Sequence, residues 1–306
     1  MQTAEQQSGS IRYVYDLDGA DPASSAPSSA EVDVHAPAGN TVHAGVAVGG
    51  ARACVALLRV PRGSVCNAAD GGAERFFFVL DGCLTADIDG RLLKVPARHA
   101  LHVPAAMPYV LEAAEDTAFI AAISRGADLS AGAAWHGGTG AVTAPRTRPA
   151  TDGSVRFVYA IDELDAVPPG VSSAKVVPKN FVSGKSSSFG AALSGSALHV
   201  GVIHKARGSG AKLHTHPNEQ FNVVLAGRLI GEIAGAEMKV VPYGLIHMPA
   251  GVQHCTAASG EGDLTVFVVK DTSHGLSGPP VDGIEDGPRY LPGFGPQGAN
   301  TGNQSR

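Results

Sequence analysis

The chain has 306 residues, 44% of them hydrophobic, and only 17% charged residues with a net charge of −5. That is enough apolar material for about two domains, while a surface this poor in basic charge argues against non-specific nucleic-acid binding. The 39 glycines and 20 prolines interrupt every segment, which excludes long charged helices and coiled coils, and no apolar run reaches the roughly 18–20 residues of a membrane-spanning helix.

The N-terminus, MQTAEQQSGS, is polar and lacks the basic and apolar regions of a secretory signal. With Cys54, Cys66, Cys83 and Cys255 free of C-x-x-C spacing, it predicts a cytoplasmic protein with reduced thiols. Residues 20–50 are rich in Ala, Ser, Gly and Pro and read as long loops or short strands. Short apolar runs bounded by turn signals then predict strands at Phe76–Leu80, Leu84–Ile88, Leu92–Val95 and Leu101–Val103. Residues 126–153 lose apolar periodicity and mark a boundary, and residues 160–196 resemble 20–50. Further strands follow at Phe221–Leu225, Leu229–Ile233, Met238–Val241, Leu245–Met248 and Leu264–Val269. The tail, 275–306, is turn-rich and extended, with its last ten residues expected to be disordered.

The chain repeats itself. Arg75–Ala113 aligns without a gap on Gln220–Ala258 at a shift of 145 residues, with identities that include Gly82/Gly227, Gly90/Gly235, His102/His247 and Pro104/Pro249. Arg62-Gly63-Ser64 matches Arg207-Gly208-Ser209, and Ile11–Tyr15 (IRYVY) faces Val155–Tyr159 (VRFVY) at a shift of 144. Many short strands with regular turns in each half predict an all-β sandwich or barrel, built twice. The domains expected are 1–135, a linker at 136–154, a second domain at 155–275 and the tail at 276–306.

Chemistry concentrates in the second half. His214 and His216 sit at i, i+2, on one face of an extended segment, and His254 follows a Pro249-x-Gly251 turn. Three imidazoles converging on one point suit Fe, Mn, Ni, Cu or Zn. The segment resembles the two motifs of the cupin superfamily, G-x5-H-x-H-x3-4-E-x6-G and G-x5-P-x-G-x2-H. The second motif matches from Gly244 to His254 with one residue fewer between glycine and proline, and the first begins short at Gly210. Counting back from Gly227 places Gln220 where the family usually has glutamate, with Glu219 one step away. Neighbours on a strand face opposite ways, so only one of the two reaches the metal, and the spacing favours Gln220. Some cupins with an HPxEQ sequence use glutamine in this way.

The aligned positions in the first half are Ala69, Gly71, Arg75 and Tyr109, which form no metal set. The whole pattern resembles bicupins over about residues 10–275, which implies two tandem jelly-roll-like cupin barrels, the first without an ion, and pairing into a homodimer. The stretch ERFFFVLDG is similar to the ureidoglycine aminohydrolase type, whose ligand pattern the second half does not follow. Lys212 shares the face of His214 and Asn222 that of Gln220, while His274 follows the last strand; these three are the candidate catalytic residues. His102 and His247 match each other across the repeat and read as structural.

The resemblance implies one divalent transition metal, Fe(II) or Mn(II) ahead of Ni(II) or Zn(II), and a small-molecule substrate. The first functional expectation is an Fe(II) dioxygenase that cleaves a small aromatic or enolisable substrate. The alternatives are a non-redox lyase, isomerase or hydrolase acting on sugar acids or ureides, and a non-catalytic binding protein. Aromatic pocket walls would favour the first, and Arg or Lys would favour acids.

Overall fold

The computed structural model describes residues 12–18, 43–68, 72–125, 155–164, 171–177, 187–285 and 287–295. The expected linker, the last ten residues, for which disorder is the expectation, Ala69 and Gly71 lie outside these. The first repeat supplies β1 (Val14–Asp16), β2 (His43–Gly49), β3 (Ala53–Val60), β4 (Val65–Ala68), β5 (Arg75–Asp81), β6 (Cys83–Ile88), β7 (Arg91–Pro96), β8 (His99–Val103), β9 (Tyr109–Ala113) and β10 (Thr117–Ser124). The second supplies β11 (Val158–Ala160), β12 (Lys175–Val177), β13 (Ser188–Ser194), β14 (Leu198–Lys205), β15 (Ser209–Gly210) and β16 (Gln220–Ala226). It continues with β17 (Leu229–Ile233), β18 (Ala236–Val240), β19 (Gly244–Met248), β20 (His254–Ala258), β21 (Leu264–Asp271) and β22 (Arg289–Tyr290). One short 3₁₀ turn is the only helical element among the described residues.

The strands form two antiparallel barrels, each of two sheets. The first combines the sheets β11-β8-β5-β10-β3-β2 and β4-β9-β6-β7; the second combines β1-β19-β16-β21-β14-β13-β12 and β18-β17-β20-β15-β22. The tight hairpins use positive φ at Asp89-Gly90 (52°, 71°) and Ala234-Gly235 (51°, 80°), the turn geometry that matches strand twist. Gly82 and Gly227 sit at φ 78° and 79° with the carbonyls of Asp116 and Asp263 against them, where a Cβ would collide. That is why both repeats keep glycine there.

The repeats exchange their first strands. β1 pairs with β19 (Val14↔Ile246) and β11 with β8 (Val158↔Leu101), so each of these two strands completes the other repeat's sheet and covers its edge. The domain boundaries read from the sequence keep each of these strands with its own repeat; the sheets place it with the other.

Three cores result. Between the barrels, Phe76, Phe78, Leu193, Phe221 and Phe267 pack into one shared cluster, with Phe78 and Phe267 stacked at 5.0 Å and 6°. Inside the first barrel Phe77, Tyr109, Phe119 and Phe157 fill the space. The core of the second barrel is built of aliphatic residues and methionines such as Leu229, Met238 and Val266, and among the described residues no aromatic ring is buried in it.

Candidate metal centre

β15 leads into an irregular segment that carries His214 and His216, and β20 begins at His254. His214 and His254 exchange backbone hydrogen bonds of 3.0 Å in both directions, and the N–H of Gly251 donates to the carbonyl of His216 at 2.8 Å. Gly251 adopts φ 77° to do so. The P-x-G turn of the motif is therefore what pins the second histidine beside the third.

The imidazole centroids lie 5.9 Å (His214–His216), 4.4 Å (His214–His254) and 4.8 Å (His216–His254) apart. Each Nδ1 faces a backbone carbonyl two residues away: Lys212 at 2.8 Å, Asn218 at 2.7 Å and Val252 at 2.9 Å. A carbonyl only accepts, so each Nδ1 carries the proton and each Nε2 presents a lone pair. Nε2 of His216 and of His254 is buried with no hydrogen-bond partner. One donor atom from each of the three rings falls within 4.8 Å of the others. Burial pushes the imidazolium forms of His216 down to about 4 and of His254 to about 3, and lowers His214 as well. Nearby Lys270 adds to all three shifts. The triad is thus neutral at pH 7 and could hold a metal ion.

The two candidates for a fourth ligand part ways. Gln220 lines the same cavity, lies beside His216, and its amide nitrogen donates to Asn222 Oδ1 at 2.7 Å. That bond engages the amide nitrogen of Gln220 and not its oxygen. Glu219 is not part of the cluster, a correction to its standing as the alternative. Its carboxylate accepts the N–H groups of Ala51 (2.8 Å), Arg52 (2.9 Å) and Ala53 (3.1 Å) and Nε2 of His247 (2.8 Å). It therefore clasps the first repeat. Glu74 mirrors it, accepting the N–H groups of Ser196 (2.6 Å), Ala197 (2.9 Å) and Leu198 (2.8 Å) and Nε2 of His102 (3.1 Å). The matching histidines are structural for this reason.

Of the remaining candidates, Asn222 is buried inside the cavity. Lys212 also lines it, and its ammonium pairs with Asp282 Oδ2 and the carbonyl of Ile284, both at 3.1 Å. His274 is exposed and does not line the cavity; only its backbone carbonyl takes part, accepting from Asn218 Nδ2 at 3.5 Å. An acid/base role for its imidazole is therefore not supported by its placement.

The cavity itself measures about 130 Å³. It runs along β14, between the His199/Lys270 level and Lys205, with Ile203, Val266 and Val268 as apolar walls and Leu276, Ser277, Gly278 and Pro280 closing one side. Among the described residues no Phe, Tyr, Trp, Asp or Glu lines it. Lys270 is buried, and its Nζ donates to the carbonyl of Leu276 at 2.8 Å. Sequence reasoning missed Lys205 and Lys270 and set His199 aside as bland. The available signal was parity: Lys205 falls in phase with Ile203, and Lys270 with Val266 and Val268, on strands whose inward residues, His199 apart, are otherwise apolar or small.

In the first barrel Arg75 takes the place of Gln220 and Tyr109 that of His254. The Arg75 guanidinium lies 5.5 Å from the Tyr109 ring centroid and donates to the Ala73 carbonyl at 2.8 Å. A fixed cation thus stands where the second barrel gathers its nitrogen lone pairs.

A family model described as the cupin domain matches residues 201–270. A point variant of Bacillus subtilis oxalate decarboxylase superposes with a TM-score of 0.55 at 11% identity, covering 87% of this chain and 79% of that one. A second structure of that enzyme, from work on its Mn(II) centres, superposes with a TM-score of 0.56 at 12% identity and covers 88% and 79%. A cupin 2 conserved barrel domain protein from Leptotrichia buccalis gives 0.48 at 14% identity, covering 79% and 90%. No protein of curated function matches the sequence. No helix among the described residues is long and apolar enough to cross a membrane. At such identities the likeness to the decarboxylase bears on architecture alone, and on that point it agrees with the strands: the chain is all-β and folds as two tandem jelly-roll-like cupin barrels.

Proposed function

We propose that the chain is a metal-dependent enzyme acting on a small organic acid in its second barrel. The observation that carries this reading is the convergence of three Nε2 lone pairs, each imidazole held by an Nδ1–H bond to a carbonyl. His214, His216 and His254 would hold one divalent transition metal, with the amide oxygen of Gln220 as the fourth ligand. When bound, such an ion supplies Lewis-acid polarisation of a carbonyl or carboxylate, undiminished by any anionic ligand.

The walls speak to the substrate. Among the described residues the buried Lys270 lines the cavity while no acidic group and no Phe, Tyr or Trp ring does, which suits an anion better than a neutral aromatic. Lys270, anchored to the carbonyl of Leu276, is placed to hold the acid and to exchange a proton at Nζ; burial brings its ammonium down to about 7. Non-redox chemistry of the lyase, isomerase or hydrolase kind follows from that pairing of cation site and proton carrier. An Fe(II) oxygenase working on an enolisable acid is the second reading, favoured by the apolar walls of Ile203, Val266 and Val268, which keep water from a reactive centre.

The test is the metal content of untagged protein purified without added metal, followed by O2 uptake with acidic substrates. Manganese, nickel or zinc without O2 uptake supports the first reading. Near-stoichiometric iron with acid-dependent O2 consumption supports the second. No metal, and none taken up on reconstitution, overturns both.

A further inference from the structure

The far end of the cavity holds a charge that the metal reading does not use. Lys205 is the last residue of β14 and is 5% exposed. It lines the same cavity as His214 and Gln220, and among the described residues no acceptor lies within hydrogen-bond distance of its ammonium. A buried cation with no partner among the described residues is costly, and burial lowers this ammonium only to about 8, so it is charged at neutral pH. Its neighbours are polar: Ser188 pairs with it across β13, and Thr256 lines the same space.

The other repeat supplies an internal comparison. The first barrel pairs Val60 with Thr117 and Cys54 with Ile123, where the second pairs Lys205 with Leu264 and His199 with Lys270. Val60 and Ile123 belong to the packed core of the first barrel. The fold therefore needs no cation at either position, and both lysines occur only where there is a cavity. His199 and Lys205 lie six residues apart on the same face of β14, roughly 20 Å at 3.3 Å per residue, so Lys205 and Lys270 enter the cavity from opposite ends.

We propose that the site takes a small dianion: a metal-chelating head beside the triad and Lys270, and a second, terminal carboxylate anchored by Lys205 with Ser188 and Thr256. This rests on the metal-dependent reading above and adds the distal anchor as the determinant of specificity.

The experiment uses the full chain loaded with Mn(II) and reads ligand binding by calorimetry. The probes are matched pairs of 2-oxo acids: 2-oxovalerate against 2-oxoglutarate, and 2-oxohexanoate against 2-oxoadipate. The expected result is at least tenfold tighter binding of the dianion in one or both pairs, reduced to less than threefold in Lys205→Met with binding of the monoanion unchanged. Lys205→Arg keeps a preference, and it serves with the wild-type comparison should the methionine variant fail to fold. Equal binding within both pairs, a preference that survives Lys205→Met, or no binding by any probe to metal-loaded protein overturns the distal anchor while leaving the metal site standing. Failure to take up metal overturns the metal reading and the anchor with it.

Discussion

Replacing Glu74 tests how the two barrels are joined. Its carboxylate is 1% exposed and accepts the N–H groups of Ser196, Ala197 and Leu198, the Ser196 hydroxyl at 2.9 Å and Nε2 of His102. Glu74→Ala leaves three backbone donors without a partner in a turn where Leu198 is buried, Ala197 half-buried and Ser196 exposed. At about 1–3 kcal/mol for each unmet buried donor, with some relaxation and water entry, a loss of about 3–5 kcal/mol is expected. The titration gives an independent figure. Burial alone would raise the carboxyl, but the bonds from His102, Ala197 and Ser196 outweigh it and hold the group at about 2 against an ordinary 4.5. At about 1.4 kcal/mol per unit, that difference is worth about 3 kcal/mol. Because the folded value is the lower one, the contribution is complete above the unfolded value and is lost as pH falls from about 4.5 towards 2. Urea unfolding of wild type and Glu74→Gln, compared at several pH values, checks both statements. The gap between the two proteins should be widest near pH 7 and close towards pH 2. A Glu74→Ala protein within 1 kcal/mol of wild type at pH 7, or a gap that does not change with pH, refutes the clasp.

The remaining predictions concern the triad and the shared core. His216→Ala or His254→Ala should abolish retention of Mn(II) or Co(II) through dialysis, while Gln220→Ala should weaken it, as metal analysis of the dialysed proteins will show. Because His216 and His254 are lowered to about 4 and about 3, protons should not compete with metal at these two ligands until well below pH 6. Co(II) affinity lost with a midpoint near 6.5 would show that they titrate as ordinary histidines. Phe78→Ala removes one ring of the 5.0 Å stack with Phe267 and should cost about 3–5 kcal/mol, the usual range for a buried phenylalanine, read as a lower urea midpoint in a single transition for both barrels.

Much of this architecture is written in local pattern, and the part that is not depends on which strands meet. Phe76–Leu80 and Phe221–Leu225 are recognisable as strands because apolar residues run between turn signals, and the D-G and A-G turns then take the positive φ values that hairpins demand. The histidines are recognisable because i, i+2 spacing and a P-x-G turn leave few other geometries. The exchange of β1 and β11 is different. IRYVY and VRFVY look alike because they do the same work, yet nothing in either segment says that each belongs to the opposite sheet; that follows only from pairing with β19 and β8.

Glu219 and Gln220 show the same division within two residues. Strand alternation says that one points inward and the other away. Only the reciprocal placement of turns 50–53 and 195–198 shows why the outward one must be an acid: each turn presents a fan of N–H groups to the other repeat's glutamate. Read with the repeat in mind, the glutamate was assignable from sequence. Glu74 stands in the first half, beside Arg75, where no metal set exists, so its recurrence at 219 signals a duty shared by both barrels rather than ligation in one. The same comparison run in reverse isolates the chemistry. Residues the halves share, among them Glu74/Glu219, His102/His247 and Gly82/Gly227, hold the fold. Residues at which they differ, Val60/Lys205, Arg75/Gln220, Phe77/Asn222 and Tyr109/His254, gather around one cavity.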